Sequence, residues 1–201
     1  MTERDRIVKK RRPYRLRARA ESMEQTRAGI TRAAIELHGS VGPAATTMSA
    51  VAERAGVTRA TLYRHFANED ALFAACSAEW RSANPAPEPA EWAAIQDPRE
   101  RLAAALPALY RWYRSAESMR ANLLRDLAVL PPAIRAGIAS YPSAIADVLD
   151  AGWPEPSRLR QAAIGHAVDF QTWQSLAHHG LTNAEAAVLM TRLIATADSI
   201  G

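Results

Sequence analysis

The sequence predicts an all-α protein built in two parts. Apolar residues recur at three- and four-residue spacing along most of the chain, the period of helices with one buried face. No strand-like alternation or internal repeat accompanies it. A proline-rich stretch, Asn84-Pro-Ala-Pro-Glu-Pro89, breaks the pattern and marks the division between the parts. With 201 residues and 48% hydrophobic content, the chain can bury an adequate core as one large domain or two small ones. No run approaches the ~20 apolar residues needed to cross a bilayer, so no membrane association is expected. Cys76 is the only cysteine, which excludes an internal disulfide and fits a reducing cytoplasm. The charged N-terminus has no apolar signal core, which also points to a cytoplasmic protein.

The net charge of +4 conceals an asymmetry. Residues 1–20 hold nine basic side chains against Glu3 and Asp5, a net +7, so the rest of the chain sums to −3. Such a segment cannot bury apolar surface, and residues 1–20 are expected to form a disordered basic arm. Its natural partner is a polyanion, because releasing counterions from phosphates drives association. A solubilising tail with only non-specific affinity would have the same composition.

A first helix is expected from about Ser22 to His38, with Ile30, Ala34, Leu37 and Val41 forming its inward stripe. Gly39 and Gly42-Pro43 end it. Thr46 or Thr47 then caps a short helix that turns Met48, Val51 and Ala52 inward. Gly56 supplies the positive φ for a sharp reversal. Thr58 caps the next helix, whose apolar side is Ala60, Leu62 and Phe66. Asn68 caps the one after it, with Glu69 and Asp70 in the first turn, where the helix dipole favours negative charge. That helix carries Leu72, Phe73, Cys76 and Trp80 on one side; Cys76 reads there as a small core residue or, alternatively, a redox sensor.

Two short helices joined by a glycine-containing turn form a helix-turn-helix, which places its second helix in the DNA major groove. Residues 21–83 are therefore expected to be a helix-turn-helix DNA-binding domain. Double-stranded DNA becomes the expected partner of the arm as well, and Arg15, Arg17 and Arg19 can enter a narrow minor groove.

The stretch AVAERAGVTRATLYRHFANEDALF closely resembles the DNA-binding domain of the TetR family of bacterial transcriptional repressors. Thr61-Leu62-Tyr63-Arg64-His65-Phe66, followed by an acidic helix start, is its most specific part. The resemblance covers roughly the first 80 residues. It implies that Arg59 and Thr61 approach base edges, while Thr47, Thr58, Tyr63 and His65 contact the DNA backbone. It also places Arg27, near the start of the first helix, at the backbone, and Arg64 can add a contact. Arg59 can donate two parallel hydrogen bonds to guanine, worth about 1–3 kcal/mol against a wrong base. One position departs from the family pattern: Glu69 stands where a phosphate-binding lysine is usual, so that contact should be missing.

Residues 84–96 are expected to be a linker and residues 97–201 a helical domain for effector binding and dimerisation. Asp97-Pro98-Arg99-Glu100 combines an acidic cap, proline at the first helical position and a reciprocal glutamate. Leu102, Leu106, Leu109 and Tyr113 form the stripe of that helix, with a kink expected at Pro107. A helix from about Glu117 to Leu130 presents Met119, Leu123, Leu124 and Leu127. Pro131-Pro132 stops it and opens another running to about Val148. Ser157 to His179 reads as one long helix, and Thr182-x-x-Glu185 as a capping box for the last.

Two sites are expected in this second part. Tyr110, Trp112, Tyr113, Met119, Leu123, Phe170 and Trp173 supply aromatic and soft side chains, with His166, Asp169, Arg125 and Asp126 as polar anchors. The family resemblance implies an effector pocket for a small molecule there, whereas the spacing alone is equally that of plain core. The last helix is apolar over a wide arc, which suggests a homodimer interface through Ala177, Ala186, Leu189, Met190, Leu193 and Ile194, or burial within one chain. The resemblance implies a twofold dimer on a palindromic operator. His166 with Asp169, and His178-His179, are the only hint of catalysis; no metal-ligand motif, phosphate loop or nucleophile elbow accompanies them, so neither an enzyme nor a metal or other cofactor is expected. An effector-independent regulator is the remaining alternative.

Overall fold

The computed structural model describes the backbone of residues 3–197 and the side chains of residues 17–197. Among the described residues all regular structure is helical. Backbone contacts divide the chain into two units, Met1–Ala83 and Asn84–Gly201. The first holds α1 (Glu3–Ser40), α2 (Met48–Arg54), α3 (Arg59–His65) and α4 (Glu69–Ala83). The second holds α5 (Pro89–Ala93), α6 (Pro98–Ser115), α7 (Glu117–Arg125), α8 (Pro132–Asp150), α9 (Arg158–Ala167), α10 (Phe170–His178) and α11 (Asn183–Thr196).

In the first unit the local signals fix each helix start. Thr47 accepts a hydrogen bond from the Ala50 amide (3.1 Å), Thr58 from Thr61 (3.1 Å), and Asn68 from Ala71 (2.8 Å). Gly56 has φ +67°, and Val57 donates back to the Ala52 carbonyl at 2.9 Å, the six-to-one bond of a glycine-terminated helix. α1, α2, α3 and α4 then enclose one core made of Ile30, Ala33, Ala34, Met48, Val51, Ala52, Leu62, Phe66, Leu72 and Cys76. Two apolar residues assigned inward are exposed instead. Val41 lies beyond the last turn of α1, and Ala60 faces out from α3. Cys76 is a core residue, its thiol donating to the Thr31 carbonyl at 3.6 Å and pushed up to about 12 by burial. α1 also continues back to Glu3, well before Ser22, through residues that composition alone marks as a disordered arm. Arginine, lysine, leucine and alanine are among the strongest helix formers, and that favours continuation once a helix exists.

His38, near the end of α1, is buried and stacks on Phe73 of α4 with ring centroids 4.8 Å apart. Burial lowers its pKa from the ordinary 6.5 to about 4. As pH falls below 6.5 the unfolded chain takes up the proton while the folded chain does not, so stability is lost between pH 6.5 and 4. The loss should approach about 3 kcal/mol for this group. Urea unfolding at pH 7 and pH 4.5 should show it, and His38→Gln should flatten the difference relative to the wild type.

In the second unit, α6 is capped by Asp97, which accepts from the amides of Arg99 (2.7 Å) and Glu100 (3.2 Å). The helix runs unbroken past Pro107 to Ser115. Its Leu102, Leu106, Leu109, Tyr110 and Tyr113 are fully buried against α9, α10 and α11. The segment 84–96, expected as a bare linker, contains α5, and its Trp92 is buried in this core. Tyr141 of α8 ties the same segment down by donating to the Pro87 carbonyl at 2.8 Å.

The expected long helix over 157–179 is two helices. Asp169 caps α10, accepting from Gln171 (2.7 Å) and Thr172 (3.1 Å), so α9 ends at Ala167. The break leaves carbonyls without helical donors, and the core tyrosines fill that role. Tyr110 donates to Ala167 (2.8 Å) and Tyr113 to Val168 (2.6 Å).

Candidate functional site

The helix-turn-helix presents one polar face. On α3, Leu62 and Phe66 are buried and hold the helix against the core, while Arg59, Tyr63 and Arg64 are exposed and Thr61 is half-buried. Tyr63 keeps 42% of its surface exposed. Arg59 lies one turn before it, with its guanidinium 5.9 Å from the Tyr63 ring centroid. That i, i+4 contact favours an ordered arginine at the outer face of α3. Thr58 and Thr61 hydroxyls are 3.0 Å apart, and Thr47 is exposed at the start of α2. Because the Thr47 oxygen accepts from Ala50, its hydroxyl proton remains available to a phosphate.

Two expected backbone contacts are placed differently. Arg27 is turned inward: it donates to the His65 carbonyl at 2.7 Å and stacks 4.1 Å over Phe66. It thereby satisfies an open carbonyl at the C-terminus of α3, where the helix dipole favours a cation. His65 is half-buried, and its Nε2 has no hydrogen-bond partner among the described residues. Glu69 is exposed in the first turn of α4, beside Asp70. Arg17 and Arg19 are exposed on α1, Arg17 pairing with Glu21 at 2.9 Å. Arg15 lies outside the residues whose side chains are described.

In the second unit the aromatic residues meet. Tyr113 lies 5.3 Å from Phe170, 5.8 Å from Trp173 and 5.5 Å from Trp112, measured between ring centroids. Tyr110, Tyr113, Phe170 and Trp173 are buried core, and Trp112 is half-buried against Tyr141. Met119 and Leu123 are half-buried on α7, whose only buried residue is Asn122. The polar anchors are engaged elsewhere. Asp169 is an exposed cap, and His166 is exposed beside the Thr172 hydroxyl at 3.1 Å. Asp126 is buried and takes two hydrogen bonds from Arg125, at 2.8 and 3.0 Å. An open depression of about 810 Å³ lies at the other end of α6, lined by Asp97, Arg99, Trp153, Glu155 and Leu159 among others. None of the expected pocket residues borders it.

Sequence reading missed Arg120 here. It lies on α7 with its guanidinium 4.6 Å from the Trp112 centroid, 4.9 Å from Tyr113 and 5.4 Å from Phe170. The only available signal was its place one turn before Leu124, a residue packed on the core.

The apolar arc of α11 divides in two. Ala186, Met190 and Ile194 face the unit's own core, chiefly α6, and are buried without a partner chain, so they cannot form part of an exposed interface. Leu189 and Leu193 stay 38% and 48% exposed, with Val188 at 51%, while Ala177 is half-buried against the core. Helical geometry explains the division, since residues 186, 190 and 194 repeat every four positions on one side.

Residues 30–76 match the family model of bacterial regulatory proteins of the tetR family. Those residues carry the DNA-binding domain of that family. The match spans the core of the TetR-family reader from Ile30 to Cys76 and includes all of α2 and α3. Solved structures share the fold over nearly the whole chain. A TetR-like transcriptional regulator from Rhodococcus sp. RHA1 aligns with a TM-score of 0.60 at 19% identity, covering 89% of this chain and 97% of its own. A candidate fatty acid metabolism regulator of Clostridium perfringens aligns with a TM-score of 0.58 at 16% identity, covering 86% and 98%. No curated protein sequence matches significantly. Among the described residues, no helix is long and apolar enough to cross a membrane.

Proposed function

We propose that this TetR-family transcriptional regulator acts as a homodimeric repressor, binding a palindromic operator and leaving it when a small effector enters the second unit. The observation that carries the DNA-reading role is the face of α3: Arg59, Thr61 and Tyr63 stand outward on a helix anchored from behind by Leu62 and Phe66. Thr47, Thr58 and Arg64 border that face and supply phosphate contacts, while His65 is half-buried with its Nε2 turned away from solvent. Arg17 and Arg19, exposed on α1, add positive charge for the same partner. Such phosphate contacts position the helix, and Arg59 supplies the base contact.

The exposed Val188, Leu189 and Leu193 support a dimer through α11, since a twofold axis doubles a self-complementary apolar strip. Two readers then meet successive major grooves about 34–36 Å apart. Effector release is a population shift, in which the ligand binds the non-operator geometry better; a coupling of ~1–3 kcal/mol is sufficient for a response. The aromatic cluster around Tyr113, with half-buried Trp112, Met119 and Leu123 at its edge, suits a small apolar or aromatic effector. The fatty acid role attached to the Clostridium perfringens protein agrees with an effector having an apolar body. A second reading, an effector-independent regulator, draws on the close packing of Tyr110, Tyr113 and Trp173, each with no exposed surface. Catalysis has no part in either reading, and the expected site of action is the cytoplasm.

Fluorescence anisotropy on DNA from the gene's own upstream region tests the reader. Wild type should bind one palindrome tightly and with steep salt dependence. Arg59→Ala should lose about 1–3 kcal/mol on that palindrome and discriminate less at the base it contacts. Tyr63→Ala should weaken all duplexes alike. Equal, weak binding to every duplex, unchanged in both variants, would show that α3 is not the reader.

A further inference from the structure

The buried or half-buried arginines of this protein are of two kinds. Arg27, Arg101 and Arg160 each meet carbonyl or carboxylate oxygens: Arg27 at His65, Arg101 at Ile95, Val148 and Ala151, and Arg160 at Glu155 and Asp150. Arg120 differs. Its Nε is buried and has no hydrogen-bond partner, and no ion pair within 4.0 Å involves it among the described residues. The carboxylate whose charge reaches it belongs to Asp169, and that group is already held by the Gln171 and Thr172 amides as the cap of α10. The Tyr113 and Tyr141 hydroxyls also act on it electrostatically, but they donate to the carbonyls of Val168 and Pro87.

Three aromatic rings surround this cation, contributed by α6 and α10, while Arg120 itself comes from α7. Ring contacts stabilise a guanidinium through its faces, whereas its five donors point outward in the plane of the group. Stacking therefore leaves the buried Nε–H unanswered. A buried donor without an acceptor costs about 1–3 kcal/mol, so the arrangement requires an explanation. Burial lowers the arginine's pKa, but a guanidinium remains protonated at neutral pH. The side chain is half-buried and sits on a helix with a single buried residue, Asn122, so a ligand can reach it without dismantling the core.

We infer that Arg120 anchors the carboxylate of an effector whose apolar or aromatic body lies against the half-buried Trp112, Met119 and Leu123. The inference rests on the effector reading above and adds the chemical class of the ligand. A carboxylate matches the planar fork by two parallel hydrogen bonds, which a neutral amide cannot reproduce with equal strength. The fixed positive charge also disfavours cationic ligands, even though an aromatic cluster by itself would suit them.

The full-length protein should be titrated by calorimetry with 1-naphthoate and decanoate, their neutral amides, and 1-naphthylmethylammonium. The wild type should bind at least one carboxylate about tenfold or more tightly than its own amide, because hydrogen bonds to charged groups contribute that much. The ammonium compound should not bind. Arg120→Met should erase the preference for acid over amide, and Arg120→Lys, which keeps the charge but not the fork, should retain part of it. Should the methionine variant fail to fold, the lysine variant carries the comparison through its reduced acid-to-amide ratio. If amides bind as well as acids in the wild type and in the variants, the effector pocket stands and the role of Arg120 falls. If no member of the panel binds any form, both readings fall.

Discussion

Leu62→Ala should remove DNA binding altogether by unfolding the unit that carries α3. Leu62 has no exposed surface and lies between the recognition face and the other helices of its unit. Large-to-small substitutions at such positions cost about 2–5 kcal/mol, through lost burial and the cavity left behind. Domains are stable by only ~5–15 kcal/mol, and a core of ten buried residues belongs at the lower end of that range. Two-step urea unfolding, followed by circular dichroism and near-ultraviolet absorbance, should show the first transition moved to much lower denaturant. The transition of the second unit should stay in place, because its core shares no residue with the first. Leu62→Met nearly conserves volume and should cost less than about 1.5 kcal/mol with DNA binding retained. A normal first transition in Leu62→Ala would contradict the packing described for α3.

The reader unit was legible in the sequence because its determinants are local. Thr47, Thr58 and Asn68 each cap a helix three residues ahead of the amide they bind, and Gly56 takes the φ its turn requires. Such signals need no knowledge of the rest of the fold. The second unit depends on partners far apart in sequence, and there the reading was less complete. Apolar spacing continued from Ile164 through Trp173 as if unbroken, although Asp169 carried a cap signal within it. The wide arc of α11 was correctly apolar, but only the positions packed on α6 could show that Ala186, Met190 and Ile194 belong inside.

Buried arginines escaped for a related reason. Charge usually marks the solvent side of a helix, so Arg27 was read as facing DNA, while Arg101 and Arg120 attracted no assignment. Each side chain lies toward the interior because of groups that sequence spacing does not reveal. For Arg27 the acceptor is the carbonyl of His65, 38 residues on. Arg120 meets rings from two other helices. Arg27 supports α3 from behind, a role that bears on how the recognition face is held.

Arg101→Met should destabilise the second unit by about 3–5 kcal/mol, because several buried carbonyls lose charge-assisted donors worth about 1.5–3 kcal/mol each. Arg101 is 5% exposed, and its guanidinium donates to the carbonyls of Ile95 (2.7 and 3.0 Å), Val148 (2.8 Å) and Ala151 (2.5 Å). Two of these lie at the C-terminus of α8, where helix carbonyls lack internal donors and the dipole is negative. Trp153 donates to the neighbouring Leu149 carbonyl at 3.1 Å, and Gln161 holds the Asp150 carboxylate at 2.8 Å. Arg101 thus joins the start of α6, the 84–96 segment and the end of α8 at one point. Methionine keeps the apolar stem but strands those carbonyls, and the ends of α5 and α8 should loosen together. Hydrogen exchange should register this as faster exchange of amides at the end of α8 and in α5, with the first unit unaffected. Arg101→Lys keeps the charge yet offers no planar fork, so its loss should be intermediate. If methionine cost less than about 1 kcal/mol, the carbonyls would have found other donors, and Arg101 would not be the group that fastens these segments.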